Sequence, residues 1–187
     1  MTLSSIYDAE LNAQMPAANA AYVAEVHIVR GGAAGSHRAV FWFDVAQAPP
    51  GKTLKSATLR LTIANNPGLS KNLAVHRISQ TSNRKWEEPQ VTWNEYKNAN
   101  SWTTPGGDFV ATASDTQAIQ DATASGTVLS FNVLGDAQSF YATPATNYGW
   151  LIKDPLDSTN TSGESVYIAT RENTTITPPK LVLTYCP

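Results

Sequence analysis

The sequence predicts an all-β protein, a single jelly-roll-type β-sandwich of roughly nine or ten strands with one short helical turn. Three observations predict this fold. Apolar and polar residues alternate with period two through most of the chain, as they do in strands with one buried face. Clusters of Gly, Pro, Asn and Asp separate these stretches at short intervals. A helical pattern occurs only near residue 136, and no linker or internal repeat divides the 187 residues, so we expect one domain, 1–187.

The first half of the chain has the clearest strand patterns. In one stretch Leu59, Leu61 and Ile63 alternate with Arg60 and Thr62, which places the three apolar side chains on the buried face. The same kind of alternation predicts five strands in this half, at 4–11, 22–30, 38–45, 54–64 and 73–79.

The stretch 38–45 differs from the others because it is apolar on both faces. A strand of this kind is central in its sheet or covered on both sides. We therefore expect Trp42 to be buried between the sheet and a cover formed by residues 86–108. On this interpretation Trp42→Ala lowers the melting temperature sharply, while Trp102→Ala barely changes it.

The second half of the chain continues the β pattern with one interruption. Residues 136–141 form the predicted helical turn, which Pro144 ends. The remaining stretches predict five more strands, at 112–119, 128–134, 148–153, 165–171 and 180–185.

Composition excludes several classes of protein. Charged residues make up 15% of the chain and the net charge is −2, which does not suit a protein that binds nucleic acid through its phosphates. The single cysteine, Cys186, excludes an intrachain disulfide. The amino terminus lacks the pattern of a classical secretory signal, and no apolar run is long enough for membrane insertion.

Residues 86–108 hold three of the five tryptophans. Trp86 and Trp93 are expected to face a common core. Tyr96 and Trp102 are candidates for stacking on sugar rings, and Arg84 and Lys97 for holding hydroxyl or uronate groups. The sequence leaves open whether this segment binds a ligand or only closes one end of the sandwich.

Catalytic and metal-binding patterns are weaker. Glu87 and Glu88 are adjacent in an extended segment, so their carboxylates point apart rather than flanking one bond as in a glycosidase. Motifs for nucleophilic or metallohydrolase chemistry are absent from the sequence, and we predict no enzymatic activity. No cofactor is expected apart from a structural calcium ion, for which Asp108, Asp154 and Asp157 are the candidate ligands.

A family resemblance extends over nearly the whole chain. Its motifs are Phe-Asp-Val at 43–45, Pro-Gly-Lys-Thr-Leu-Lys-Ser-Ala-Thr-Leu-Arg-Leu at 50–61, Trp-Glu-Glu at 86–88, Val-Thr-Trp-Asn at 91–94, Trp-Thr-Thr-Pro-Gly-Gly-Asp at 102–108, Asn-Tyr-Gly-Trp-Leu-Ile-Lys at 147–153 and Pro-Lys-Leu-Val-Leu-Thr-Tyr at 179–185. In this order they resemble the DNRLRE-domain family, which is related to disaggregatase-type repeats and to alginate-binding carbohydrate modules. The resemblance implies a non-catalytic β-sandwich of secreted or surface proteins.

Two functions remain open. The first is a structural or attachment role on a virion or other extracellular surface, with copies of the chain or other subunits as partners. The absence of a classical signal and the resemblance both favour this reading, because sandwich domains of this type also decorate virus particles. The alternative is a polysaccharide-binding module for an acidic glycan such as alginate.

Overall fold

The computed structural model describes residues 1–32, 35–68, 70–79, 85–159 and 161–186. In the first half these contain β1 (Thr2–Ser4), β2 (Tyr7–Asn12), β3 (Ala20–Ala21), β4 (Glu25–Val29), β5 (His37–Trp42), β6 (Thr53–Asn65) and β7 (Lys71–Arg77). The second half contains β8 (Glu95–Lys97), β9 (Asn100–Ser101), β10 (Asp115–Ile119), β11 (Val128–Asn132), β12 (Trp150–Lys153), β13 (Ser165–Ala169) and β14 (Lys180–Cys186).

Helical structure is limited to one α-helix and two short turns within the described residues. Helix α1 covers Leu134–Ala142, and 3₁₀ turns lie at Val45–Gln47 and Pro144–Thr146. The predicted helical turn is therefore a nine-residue helix that begins before residue 136. Its Ala137 and Phe140 side chains are buried, so packing on the sandwich stabilises a helix whose sequence signal is short. Among these residues no helix is long and apolar enough to cross a lipid bilayer.

Twelve strands form one antiparallel sheet that curls into two layers. One layer contains β1, β14, β6 and β11, and the other is built on the order β13-β4-β5-β12-β7-β10, with β2 beside β5 and β3 beside β2. The long strand β6 joins the layers, since it pairs with β14 and β11 and then, at its end, with β13. This confirms the predicted all-β sandwich class, with more strands than predicted because two- and three-residue strands are too short to show a period.

The main core lies between the layers. The predicted inward residues Leu59, Leu61 and Ile63 of β6 are fully buried there. They pack with apolar side chains from both layers, including Phe41, Phe43, Phe131 and Trp150.

A second core covers the outer face of β2, β5 and β12. Residues 86–108, which we call the covering segment, lay Trp86, Trp93 and Trp102 over Val40 of β5 and Leu151 of β12. All five side chains are buried. The expectation that β5 is covered on both faces, with Trp86 and Trp93 in one core, is confirmed.

Trp42 departs from its prediction. Its ring is at the margin of the second core and is only partly buried. Trp42 is the last residue of β5 and packs against the second core from its margin, whereas Val40 is fully buried within it.

Candidate functional site

A cleft of about 530 Å³ opens where the covering segment meets the edge of β2. One wall comes from Lys85 and the first residues of the covering segment, and the other from β2. The side chains that line it include Tyr7, Lys85, Trp86, Glu87, Glu88 and Lys97. The volume is within the usual range of small-ligand sites, about 300–1,000 Å³.

Aromatic rings form one side of this cleft. Tyr7 of β2 pairs with Trp42 of β5 in the antiparallel register, and their ring centroids are 5.5 Å apart with an interplanar angle of 31°. The Trp42 Nε1 group donates a hydrogen bond to the carbonyl oxygen of Asn147 at 2.9 Å, which fixes the indole. Both rings are partly exposed. A ligand in the cleft therefore meets Tyr7 directly, with Trp42 beside it.

Two ammonium groups face the same space. Lys85 is exposed, and its Nζ atom lies 5.3 Å from the centroid of the Trp42 ring, within the range of a cation–π contact. Lys97, on β8, is half-buried. The exposed carboxylate of Glu87 is the acidic group of the lining that is open to solvent. The cleft thus combines aromatic surface with two lysine ammonium groups.

The carboxylate of Glu88 is not free to contact a ligand in the cleft. Two guanidinium nitrogens of Arg171 donate to this carboxylate, Nη2 to Oε2 at 2.7 Å and Nε to Oε1 at 3.1 Å. The backbone N–H of Asp8 also donates to Oε1, at 2.9 Å. The side chain is buried. Glu88 therefore anchors the covering segment to β2 and to the loop after β13.

The predicted sugar-binding residues are only partly brought together. Lys97 lines the cleft, but Trp102 is 4% exposed and its Nε1 group donates to the carbonyl oxygen of Thr92 at 3.1 Å. Tyr96 packs against Trp102 with ring centroids 5.7 Å apart. Trp102 belongs to the second core, which corrects its assignment as a stacking surface. Arg84 lies outside the described residues.

Sequence reasoning missed Tyr7 and Lys85. A single tyrosine in a short opening strand carries no binding signal of its own. The register of β2 against β5 brings it beside Trp42, 35 residues later in the chain.

The aspartates predicted to bind calcium have other partners. Asp108 accepts backbone hydrogen bonds from Thr103 and Thr104, both at 2.9 Å, and so closes a turn. Asp154 pairs with Arg30 at 2.9 Å.

Asp157 pairs with both Arg38 and Lys153, each at 2.7 Å. Within the described chain these three aspartates do not form a group with converging ligand atoms. Cations of the protein already neutralise Asp154 and Asp157, so the structure does not support calcium binding at this set.

Three other carboxylates do converge. Oxygen atoms of Asp8, Glu88 and Glu172 lie within 4.8 Å of one another, next to the cleft. Burial, together with the neighbouring charges of Glu172 and Glu88, raises the pKa of Asp8 from 3.8 to about 7. In sequence these residues are far apart, and only the fold brings them together.

A family model described as the disaggregatase related repeat domain matches residues 8–174. The match includes the whole covering segment and all three of the converging carboxylates. No curated protein matches the sequence.

Proposed function

The chain belongs to the disaggregatase related repeat domain family, and we propose that it is a non-catalytic binding module whose cleft holds an acidic polysaccharide. The observation that carries the proposal is a cleft lined by Tyr7, Lys85 and Lys97, with the Trp42 ring packed beside Tyr7 and Lys85. As part of this proposal, the kinship extends to DNRLRE domains and alginate-binding modules, which the sequence resembles.

The chemistry of an acidic glycan fits these groups. A pyranose ring has an apolar face that packs on an aromatic ring, and Tyr7 offers such a ring on the cleft wall. Each uronate unit also carries a carboxylate, which pairs with a lysine ammonium group. A neutral polysaccharide would meet the lysines only through hydrogen bonds to its hydroxyl groups, without the attraction between opposite charges. We therefore expect the charge of the glycan to contribute most of the selectivity.

The carboxylates of the cleft support a non-catalytic role. A hydrolase of the usual type needs two carboxyl groups on opposite sides of the scissile bond, one of them able to donate a proton. Here Glu88 is buried in an ion pair with Arg171, and Glu87 is exposed on the neighbouring residue. The Glu88 carboxylate is thus engaged by Arg171 and by the backbone N–H of Asp8 rather than presented to a bound sugar.

We further propose that this binding serves attachment. The carrier would be an extracellular surface or a particle such as a virion, on which the chain assembles with itself or with other subunits. Light scattering of the purified chain and proteomics of the particle fraction test this part. A monomeric chain that is missing from such particles would contradict it and leave the polysaccharide proposal standing.

Affinity electrophoresis in gels containing alginate tests the cleft. We expect Lys85→Ala and Lys97→Ala each to weaken binding by about tenfold, which corresponds to about 1.4 kcal/mol, and Tyr7→Ala to weaken it also. Lys55→Ala is the matched control, because Lys55 is an exposed lysine on β6 in the other layer. Equal retardation of the two cleft variants, the control and the wild type would overturn the proposal.

A further inference from the structure

Three carboxylates from distant parts of the chain meet beside the covering segment. Asp8 is on β2, Glu88 is in the covering segment and Glu172 follows β13. The guanidinium group of Arg171 contacts two of them, at 2.7 Å from Glu88 and 2.9 Å from Glu172. With all three carboxylates ionised, the one guanidinium charge leaves two negative charges without a counter-charge in this cluster.

Two oxygen atoms of the cluster have no hydrogen-bond partner at short distance within the described part of the chain, although the Ser5 hydroxyl is near enough to Asp8 to lower its pKa. These are Oδ1 of Asp8 and Oε2 of Glu172, and both are shielded from solvent. The Asp8 side chain is only 1% exposed, and its other oxygen accepts the backbone N–H of Arg171 at 3.1 Å. A buried carboxylate oxygen without a partner is costly. Both oxygens are therefore available as ligands of a cation.

We propose that Asp8, Glu88 and Glu172 bind a divalent cation, and that this cation is calcium. A dication supplies the two positive charges that the cluster lacks. Carboxylate oxygens are ligands of both Ca²⁺ and Mg²⁺, but Mg²⁺ requires nearly ideal octahedral geometry. Calcium accepts irregular sets of six to eight oxygens, including carbonyl groups and water. The three carboxylates, two of them already paired with Arg171, form an irregular ligand set, which suits calcium better than magnesium.

The cluster is preorganised for this role. Glu88 is fixed by Arg171 and by the backbone N–H of Asp8. Nearby, the Asn19 side chain donates to the carbonyl oxygens of Glu88 and Val91, at 2.8 and 2.7 Å. Little side-chain freedom remains to be lost when an ion binds. Bound calcium would link β2, the covering segment and the loop after β13, so it would stabilise the wall of the cleft.

Calorimetric titration of the wild-type chain with CaCl₂, after dialysis against EDTA and at pH 8, tests the site directly. We expect one saturable site per chain, a rise in melting temperature with CaCl₂ and a smaller rise with MgCl₂. Terbium(III) provides a second readout, because Tyr7 and Trp86 line the adjoining cleft and can sensitise its luminescence.

Asp8→Asn and Glu172→Gln keep the shape of the side chains and remove the charge, so both variants should fold with a normal circular dichroism spectrum. We expect them to lose the calcium-dependent rise in melting temperature and the terbium signal. Glu87→Gln, at the exposed neighbour of Glu88, is the control and should behave as the wild type.

The wild-type chain overturns the proposal if it shows no heat of binding and no calcium-dependent change in stability. Calcium binding that is unchanged in both Asp8→Asn and Glu172→Gln overturns it too, because the ion would then occupy another place. Neither experiment uses a polysaccharide, so the outcome is independent of the proposed function.

Discussion

Arg38 and Asp157 form a buried ion pair, with 2.7 Å between Nε of the arginine and Oδ2 of the aspartate. Lys153 approaches the other carboxylate oxygen, also at 2.7 Å. The arginine extends the connection, since its Nη1 group donates to the carbonyl oxygen of Gly106 at 2.8 Å and its guanidinium lies 4.8 Å from the centroid of the Trp93 ring. The pair therefore fastens the covering segment to β5 and to the loop after β12.

Asp157→Ala should destabilise the protein by about 3–5 kcal/mol, because it leaves Arg38 and Lys153 buried without a carboxylate. Urea unfolding followed by tryptophan fluorescence measures the change. Glu87→Ala removes an exposed carboxylate and should change the free energy of unfolding by less than about 0.5 kcal/mol. Equal effects of the two substitutions would show that the ion pair does not fasten the segment.

Trp102→Ala should now cost more stability than Trp42→Ala, which reverses the expectation from the sequence. Trp102 is buried in the second core and uses its indole N–H, so its loss should cost about 3–5 kcal/mol. Trp42 is only partly buried and should cost about 1–2 kcal/mol. Thermal unfolding of both variants gives the order. A larger fall in melting temperature for Trp42→Ala would place the covering segment elsewhere.

The pH dependence of stability should include a contribution from Asp8. Burial, Glu172 and Glu88 raise its folded-state pKa to about 7, above the ordinary value of 3.8. Between these values the folded chain holds a proton that the unfolded chain has released, so stability falls as the pH rises from about 4 to 7. The largest loss that such a pKa allows is about 4 kcal/mol.

Urea unfolding at pH 5 and pH 8 in the presence of EDTA measures this loss. Asp8→Asn removes the titrating group, so this variant should show a smaller fall and should be more stable than the wild type at pH 8. The same difference between the two pH values in the variant and the wild type would assign the effect to other groups.

Gly149→Ala should be far more damaging than Gly126→Ala. Both glycines have positive φ angles, +80° and +85°, so both substitutions strain the backbone, by about 1–2 kcal/mol. A Cβ atom at Gly149 would lie 2.1 Å from the carbonyl oxygen of Phe41, whereas nothing lies within 4 Å at Gly126. The backbone strain is common to both variants, so the difference between their free energies of unfolding measures the clash. Equal losses would contradict the close approach of Gly149 to Phe41 of β5.

The sequence predicted the layers better than the site. The period-two pattern of β6 is local, and it correctly placed Leu59 and Leu61 in the main core. The apolar character of both faces of β5 likewise predicted a cover over Val40. Neither inference depends on which strands are neighbours in the sheet.

The cleft and the carboxylate cluster depend on long-range pairing. Tyr7 reaches Trp42 through the register of β2 against β5, and Asp8 meets Glu172 only once the loop after β13 is in place. No local pattern contains these separations. The prediction that Trp42, rather than Trp102, is the buried ring was wrong for a similar reason. The path of the covering segment decides which ring is buried, and no local pattern contains that path.

The position of β6 in the sheet has a consequence for folding during synthesis. Its partners β11, β13 and β14 all follow it in the chain, and Thr53 pairs with Cys186. A ribosome therefore exposes β6, the longest of the described strands, well before the strands that pair with it. Pairing over such long separations is slow, and an unpaired strand of this kind promotes aggregation. We expect the chain to fold cooperatively and late, after β14 has left the ribosome, and to benefit from chaperones until then.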